Sequence, residues 1–178
     1  ENTLFQLQKE LNAPNPQIQE GQLKWEKETL SMLDSSDPVD FAWIDDAQNN
    51  GGKIEGEWKF INKNEGPVFS QQFSRRQQAS KEKTIQHFFH GANRKITLSE
   101  NDTLFAYVWI DKENPPLTIM LQWNDGSWDH RAFWGQDKIG FGEIGTDTNA
   151  HRFIGKLPQP GQWVRLEVDL TSVGLKPG

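Results

Sequence analysis

Short aromatic and β-branched segments recur from residue 39 onward, and this pattern constrains the fold more than any other feature of the chain. Runs of this length and composition are typical of strands, and turn material such as "NNGGK", "KENPP" and "LPQPGQ" separates them. Several runs carry large residues on both faces, which favours two stacked sheets. The chain is therefore predicted to be all-β, a two-sheet antiparallel β-sandwich of jelly-roll type. The predicted strands lie in "VDFAWIDDA", "GEWKFI", "KTIQHFFHGA", "DTLFAYVWID", "LTIMLQWND", "WDHRAFWG", "HRFIGKL" and "GQWVRLEVDL".

The segment before these runs has a helical pattern. In "NPQIQEGQLKWEKETLSML", Asn15 is suited to the N-cap and Pro16 to the first helical position. One stripe at seven-residue spacing consists of Ile18, Trp25 and Met32. "DSSDP" then ends the helix, because a residue before proline avoids the helical conformation. We expect a helical linker over 1–36 and the β-sandwich domain over 37–178.

Composition excludes several classes of function. The 178 residues carry a net charge of −6, which argues against nucleic acid and anionic membrane surfaces as partners. No apolar run approaches the roughly 18–20 residues that insert into a membrane. The absence of cysteine excludes disulfides, thiolate metal sites and covalently attached haem. The chain nevertheless has eight tryptophans, which a disordered sequence would lack.

Three of those tryptophans lie in "LQWNDGSWDHRAFWG", residues 121–135, which reads as a hairpin with a turn at Asp125-Gly126. Side chains alternate between the two faces of a strand, so each strand can be divided into two rows. One face of the first strand carries Ile119, Leu121 and Trp123, opposite Met120 and Gln122. One face of the second strand carries Trp128, His130, Ala132 and Trp134, opposite Asp129, Arg131 and Phe133.

The row of Trp128, His130 and Trp134 is typical of a sugar-binding surface. An aromatic ring packs on the apolar face of a pyranose, while neighbouring polar groups bind its hydroxyls. Arg131 and Gln122 are weaker candidates for polar contacts, because alternation puts them on the other face. Arg131 would favour an anionic glycan, since a guanidinium pairs with carboxylate or sulfate. The alternative is a buried tryptophan row with a hydrogen-bonded core histidine. Among the three tryptophans, Trp134 and Trp123 are better suited to the core and Trp128, beside the turn, is better suited to face a ligand.

Catalysis is not predicted. A glycosidase needs two carboxyl groups facing one bond, one of them with a raised pKa. The available carboxyl groups lie in or beside turns, where solvated carboxylates are common; they are Asp111, Asp125, Asp129 and Glu143. The sequence has no cysteine nucleophile and no nucleophile-elbow serine.

A structural calcium ion is the one cofactor that the sequence suggests. Sandwich domains use carboxylate oxygens to fix loops around calcium, and Asp45, Asp46 and Asp102 are the candidate ligands. The alternative is ordinary turn chemistry and capping at all three. His87 and His90 do not suit a shared ion, because residues three apart on a strand point to opposite faces.

The last predicted strand has a core row of Val164, Leu166 and Val168. Trp163 begins the strand on the other row and is interpreted as a packing lid rather than a binding residue.

Most of the chain, roughly residues 14–178, resembles a segment of planctomycete-type cytochrome c surface proteins, which are large multidomain proteins with domains of unknown function. The resemblance rests on "DTLFAYVWIDKENPPLTIMLQWNDGSWDHRAFWG", "LPQPGQWVRLEVDLTSVGLKPG", "NPQIQEGQLKWE" and, as the first strand, "VDFAWIDDA". It implies a carbohydrate-binding or laminin-G-like sandwich in an exported protein, at the cell surface, in the periplasm or secreted. It implies no catalytic residues, and it implies one further strand beyond residue 178.

The sequence thus favours a non-catalytic module that binds a glycan or polysaccharide. The alternative is a structural domain that docks neighbouring domains or chains of a cell-surface redox protein and binds no sugar. In that case the aromatic rows would be core and interface.

Overall fold

Strands are the main regular structure in the part of the chain that the computed structural model describes, residues 40–46, 51–56, 59–80, 82–93 and 95–178. The strands are β1 (Lys53–Glu55), β2 (Lys59–Asn62), β3 (Phe73–Arg76), β4 (Phe88–His90), β5 (Thr103–Trp109), β6 (Thr118–Trp123), β7 (His130–Gly135), β8 (Arg152–Gly155) and β9 (Trp163–Asp169). The helix found in these residues is one short 3-10 helix, Leu170–Val173. The all-β class predicted from the sequence is confirmed. The predicted helical linker over 1–36 lies outside the described residues.

The strands pair in four small sheets. The longest pairing joins β5 and β9 antiparallel along seven residues each, from Thr103↔Asp169 to Trp109↔Trp163. A three-stranded sheet has the order β6-β7-β8. The other two sheets are the antiparallel pairs β1-β4 and β2-β3. In the described residues no helix is long and apolar enough to cross a membrane.

One hydrophobic core joins the β5-β9 pair to the β6-β7 hairpin. Its buried members include Leu104 from β5 and Leu166 and Val168 from β9, with Ala132 and Trp134 from β7. The 3-10 helix and the residues after it close this core with Leu170, Val173 and Leu175. Apolar burial of this kind contributes roughly 25 cal/mol per Å². The even-numbered residues of β5 and β9 thus face inward, as the alternation of "WVRLEVDL" predicts.

The predicted hairpin at 121–135 is confirmed, with β6 and β7 antiparallel and Trp123 opposite His130. Its connection is longer than the two-residue turn suggested by Asp125-Gly126, since residues 124–129 all lie between the paired strands. Side chains of the loop satisfy its backbone: the Gly126 N–H donates to Asn124 Oδ1, and the Ser127 N–H donates to Asp125 Oδ1.

The third strand of this sheet, β8, does not have the antiparallel pairing predicted for the whole domain. Strand β8 runs parallel to β7, with Phe133 opposite Phe153. The connection over 136–151 explains the direction, because a parallel neighbour requires the chain to return to the start of the first strand before pairing.

The prediction of a strand in "VDFAWIDDA" is wrong for the residues that the structure describes, 40–46, which form no strand. Their two aspartates instead bond to residues 70–73. Aspartate side chains commonly offer the backbone such alternatives to a strand ladder. Two short strands, β1 and β3, were not predicted, and β4 is confined to Phe88–His90 within "KTIQHFFHGA".

Candidate functional site

The outward row of the β5-β9 pair is aromatic. Tyr107 lies opposite Arg165 in the ladder, and Trp109 lies opposite Trp163. Because these residues alternate with the core row, their rings point away from the core. Trp109 is 39% exposed to solvent. Together with one ring from a neighbouring loop, they form a surface that we call the aromatic face: Phe69, Phe105, Tyr107, Trp109 and Trp163.

Phe69 adds its ring to this face from the connection between β2 and β3. It stacks on Tyr107 with the ring centroids 3.7 Å apart and the planes inclined by 18°. It also meets Trp163 edge-on, with the centroids 5.6 Å apart. Phe69 remains 48% exposed, so its other side is open to solvent. An apolar ring left in this position is available to a ligand.

The face has a polar end. The guanidinium of Arg165 lies 3.9 Å from the centroid of the Phe105 ring, in a cation–π arrangement. Arg165 Nε is also 2.7 Å from Glu167 Oε1. Glu167 lies opposite Phe105 in the ladder. The outward row of β5 and β9 forms a strip along the aromatic face, and the charged pair covers the end of this strip away from Trp109. Hydrogen-bonding groups therefore lie on the same face as the exposed rings, at its other end.

Asp45 and Asp46 hold the loop that carries Phe69. The Ser70 hydroxyl and the Gln71 side-chain amide donate to the Asp45 carboxylate. The backbone N–H groups of Gln72 and Phe73 both donate to Asp46 Oδ1, at 3.0 and 2.8 Å. These contacts fix the chain on the C-terminal side of Phe69, and so help to set where its ring lies.

The predicted calcium ligands do not form one cluster of acidic side chains. Asp45 and Asp46 bond to the Phe69 loop, whereas Asp102 accepts the Ser99 N–H at 2.7 Å in the turn before β5. In the described residues no three His, Cys, Asp or Glu side chains form a group that could hold a metal ion. Calcium binding stays a prediction, and the contacts of these carboxylates agree with the turn chemistry that was its alternative. His90 lies 3.5 Å from Glu55 in the β1-β4 pair.

The row Trp128, His130 and Trp134 is divided by the structure. Trp134 is 5% exposed in the core and cannot offer a ring to a ligand as it lies. His130 shares that core-facing side, opposite Trp123. Trp128 precedes β7 and is half-buried, with its ring edge-on to Phe88 at 5.4 Å. Trp128 is thus the member of the row that is positioned to meet a ligand.

His130 connects three parts of the chain. Its Nδ1 lies 2.8 Å from the Val173 carbonyl oxygen, and its Nε2 lies 2.9 Å from Asp125 Oδ1. Both partners are acceptors, so both contacts form together only when each ring nitrogen carries a proton. Hydrogen bonds from the Ser127 N–H and the His130 side chain hold the pKa of Asp125 below its usual value. The arrangement ties the hairpin loop to the 3-10 helix.

Arg131 and Gln122 lie opposite each other on the outer face of the β6-β7 hairpin, away from His130. Arg131 is buried, and its Nη1 donates to the Ala150 carbonyl oxygen and to Asp129 Oδ1. The guanidinium thus bonds to groups of the protein itself. The expectation that Arg131 would favour an anionic glycan therefore has no support in its surroundings.

The acidic residues of the hairpin loop do not resemble a catalytic pair. The hydrogen bond from the Ser127 hydroxyl is the main cause that lowers the pKa of Asp129, and the pKa of Asp125 is also lowered. A glycosidase acid needs the opposite shift. Asp111 accepts the N–H groups of Glu113 and Asn114, which is ordinary turn chemistry.

A second histidine, His151, has a structural role that was not predicted from the sequence. His151 is fully buried, with Nδ1 2.7 Å from the Phe141 carbonyl oxygen and Nε2 2.6 Å from Asp137 Oδ1. Asp137 also accepts the Gly145 N–H at 2.7 Å, which is the main cause of its lowered pKa. This set of contacts holds the long connection between β7 and β8.

The aromatic face was missed by the sequence interpretation, although its signal is present. In "DTLFAYVWID" the even-numbered residues are aliphatic and the odd-numbered ones are Phe105, Tyr107 and Trp109. The same alternation puts Trp163 opposite the core row of β9. Phe69 could not have been found in this way, because it lies outside any strand. No family model, curated protein or solved structure matches the chain.

Proposed function

We propose that this chain is a non-catalytic carbohydrate-binding module, and that a glycan binds on the aromatic face. The observation that carries the proposal is the outward row of rings on β5 and β9, in which Trp109 and Phe69 are well exposed. Single exposed apolar side chains are common, but exposed rings that adjoin one another form a patch, and such patches commonly mark binding sites. The face also has the pairing of apolar and polar groups that a sugar requires.

The aromatic face has both halves of that chemistry. Trp109, Trp163 and Phe69 offer ring surface for the C–H face of a pyranose. Arg165 and Glu167, at the other end, offer a donor and an acceptor to its hydroxyls. Both strands that carry these groups have their other row in the core, so the face has a fixed backing.

The surrounding fold is proposed to be a jelly-roll-like β-sandwich, with the β5-β9 pair and the β6-β7-β8 sheet as parts of its two layers. The shared core of Leu104, Leu166, Ala132 and Trp134 supports this. The resemblance to planctomycete-type cytochrome c surface proteins supports an extracytoplasmic module within a multidomain protein.

A glycan array tests the proposal. The labelled protein should bind at least one carbohydrate, and Trp109→Ala and Phe69→Ala should each weaken that binding about tenfold or more. Phe153→Ala is a matched control, because Phe153 is 49% exposed on β8, away from the aromatic face. If Trp109→Ala and Phe69→Ala leave binding unchanged and Trp128→Ala removes it, the site lies at the hairpin loop instead.

A second candidate function is an interaction domain that docks a neighbouring domain or chain. The observation in its favour is a further set of exposed apolar side chains on β8 and the connection before it: Ile144, Phe153 and Ile154. Sedimentation of the protein with the neighbouring domains of its parent chain would test it. Association that Phe153→Ser abolishes, with no glycan binding by the wild type, would favour this function.

A further inference from the structure

We infer, on the basis of the proposed glycan binding, that the aromatic face accepts a single uncharged polysaccharide chain rather than a crystalline surface or a polyanion. The inference rests on three observations: the angles between neighbouring rings, the charges at the face and the extent of the strip. Each concerns residues whose positions are fixed by the β5-β9 ladder or by contacts with it.

The rings do not lie in one plane. Trp109 and Trp163 are inclined by 64°, and Phe69 and Trp163 by 63°. A flat crystalline surface can contact several rings at once only if they are coplanar. An isolated chain can rotate about its glycosidic bonds and present successive sugars to inclined rings. The geometry therefore favours a chain that is free in solution.

The charges favour a neutral ligand. Arg165 lies in the outward row of the β5-β9 pair, and Glu167 Oε1 lies 2.7 Å from its Nε, so the two charges largely cancel. The whole chain carries a net charge of −6, which repels a polyanion over distances up to about a Debye length.

The strip is longer than one sugar ring. Trp109, Trp163 and Phe69 follow one another with centroids 5.9 and 5.6 Å apart, and Arg165 lies beyond Tyr107 toward Phe105. A monosaccharide can cover one or two of these groups, whereas an oligosaccharide can reach the rings and the charged pair together. Affinity should therefore rise with chain length.

Three classes of polysaccharide test the inference on the full chain. Hydroxyethylcellulose, soluble xylan and galactomannan represent single neutral chains in affinity electrophoresis. Polygalacturonate and chondroitin sulfate represent polyanions in the same gels, and microcrystalline cellulose and chitin represent crystalline surfaces in depletion assays. We expect retardation by at least one neutral soluble polymer, and an affinity about tenfold or more lower in Trp109→Ala.

The remaining outcomes separate this inference from the proposed function. Binding to crystalline polymer without binding to soluble neutral chains, or binding to polyanions alone, would overturn the inference and leave glycan binding in place. Binding to none of the three classes would overturn both. A Trp109→Ala protein with an unchanged unfolding transition ensures that any loss reflects the site. If that variant is less stable, Phe69→Ala provides the same measurement from a residue outside the strands.

Discussion

The β6-β7 hairpin and the β5-β9 pair are both rich in tryptophan, but they direct their rings oppositely. In the hairpin, Trp134 and Trp123 lie on the side of Ile119 and Leu121, so the rings join the core. In the β5-β9 pair, Trp109 and Trp163 lie opposite the aliphatic row, so the rings face outward. What decides between core and surface is thus the position of a ring relative to the aliphatic row on the same strand, not the local density of tryptophan.

The largest expected difference between the two regions is in stability. Trp134→Ala should reduce the free energy of unfolding by about 3–5 kcal/mol, because it removes a large ring from the core. Trp109→Ala should reduce it by about 1 kcal/mol or less, since the ring already contacts solvent. Urea denaturation followed by far-UV circular dichroism measures both. Equal losses in the two variants would contradict the assignment of Trp109 to the surface.

Alternation along the strands made much of this arrangement predictable. The hairpin, its two faces and the inward row of β9 follow from a period of two applied to strong aliphatic runs. The direction of β8 did not follow, because it depends on the path of the connection over 136–151, which is held by the buried contacts of His151. Phe69 reaches the aromatic face through loop contacts between residues far apart in sequence, for which a single sequence has no periodic signal.

The loop of Phe69 provides the next largest effect. Asp46→Gly removes the acceptor for the Gln72 and Phe73 N–H groups, while glycine still accepts the positive φ of 48° at this position. We expect a loss of about 0.5–2 kcal/mol in stability, by analogy with the removal of a helix cap, and weaker glycan binding. Asp46→Asn keeps a side-chain oxygen and tolerates this backbone conformation, so it should restore both properties. Isothermal titration with the glycan found on the array, together with urea denaturation, compares the two variants.

If Asp46→Gly instead left glycan affinity unchanged while lowering stability, the loop would be structural only. Phe69 would then contribute no contact to the ligand, and the site would be reduced to the rings of β5 and β9. The comparison between the two tryptophan-rich regions would stand, with a smaller binding surface.

Trp128 is the ring of the hairpin region that is neither in the core nor on the aromatic face. Its edge-on contact with Phe88 should be worth about 0.5–1.5 kcal/mol beyond the burial of its apolar surface, so Trp128→Ala should cost at least that much stability. Glycan affinity should remain within about twofold of the wild type, because the glycan is expected to bind on the aromatic face, to which Trp128 does not belong. Thermal unfolding and affinity electrophoresis measure the two effects. A loss of binding in this variant, with Trp109→Ala unaffected, would restore the hairpin loop as the site.

Acid should affect the hairpin loop more than the aromatic face. Hydrogen bonds lower the pKa of Asp125 and Asp129 below the ordinary value of 3.8, so these groups bind fewer protons in the folded than in the unfolded chain. Their contribution to stability is present above the unfolded pKa and is lost as the pH falls through the lower, folded values.

Urea denaturation at a series of pH values should therefore show stability declining below about pH 4. Asp125→Asn should make that decline shallower, because the asparagine side chain does not titrate. Glycan affinity per folded molecule should change little until acid unfolding begins, since the rings make most of the proposed contacts and carry no charge. An affinity that falls steeply before the protein unfolds would instead show that the charged end of the face, Arg165 with Glu167, contributes more to binding than the rings do.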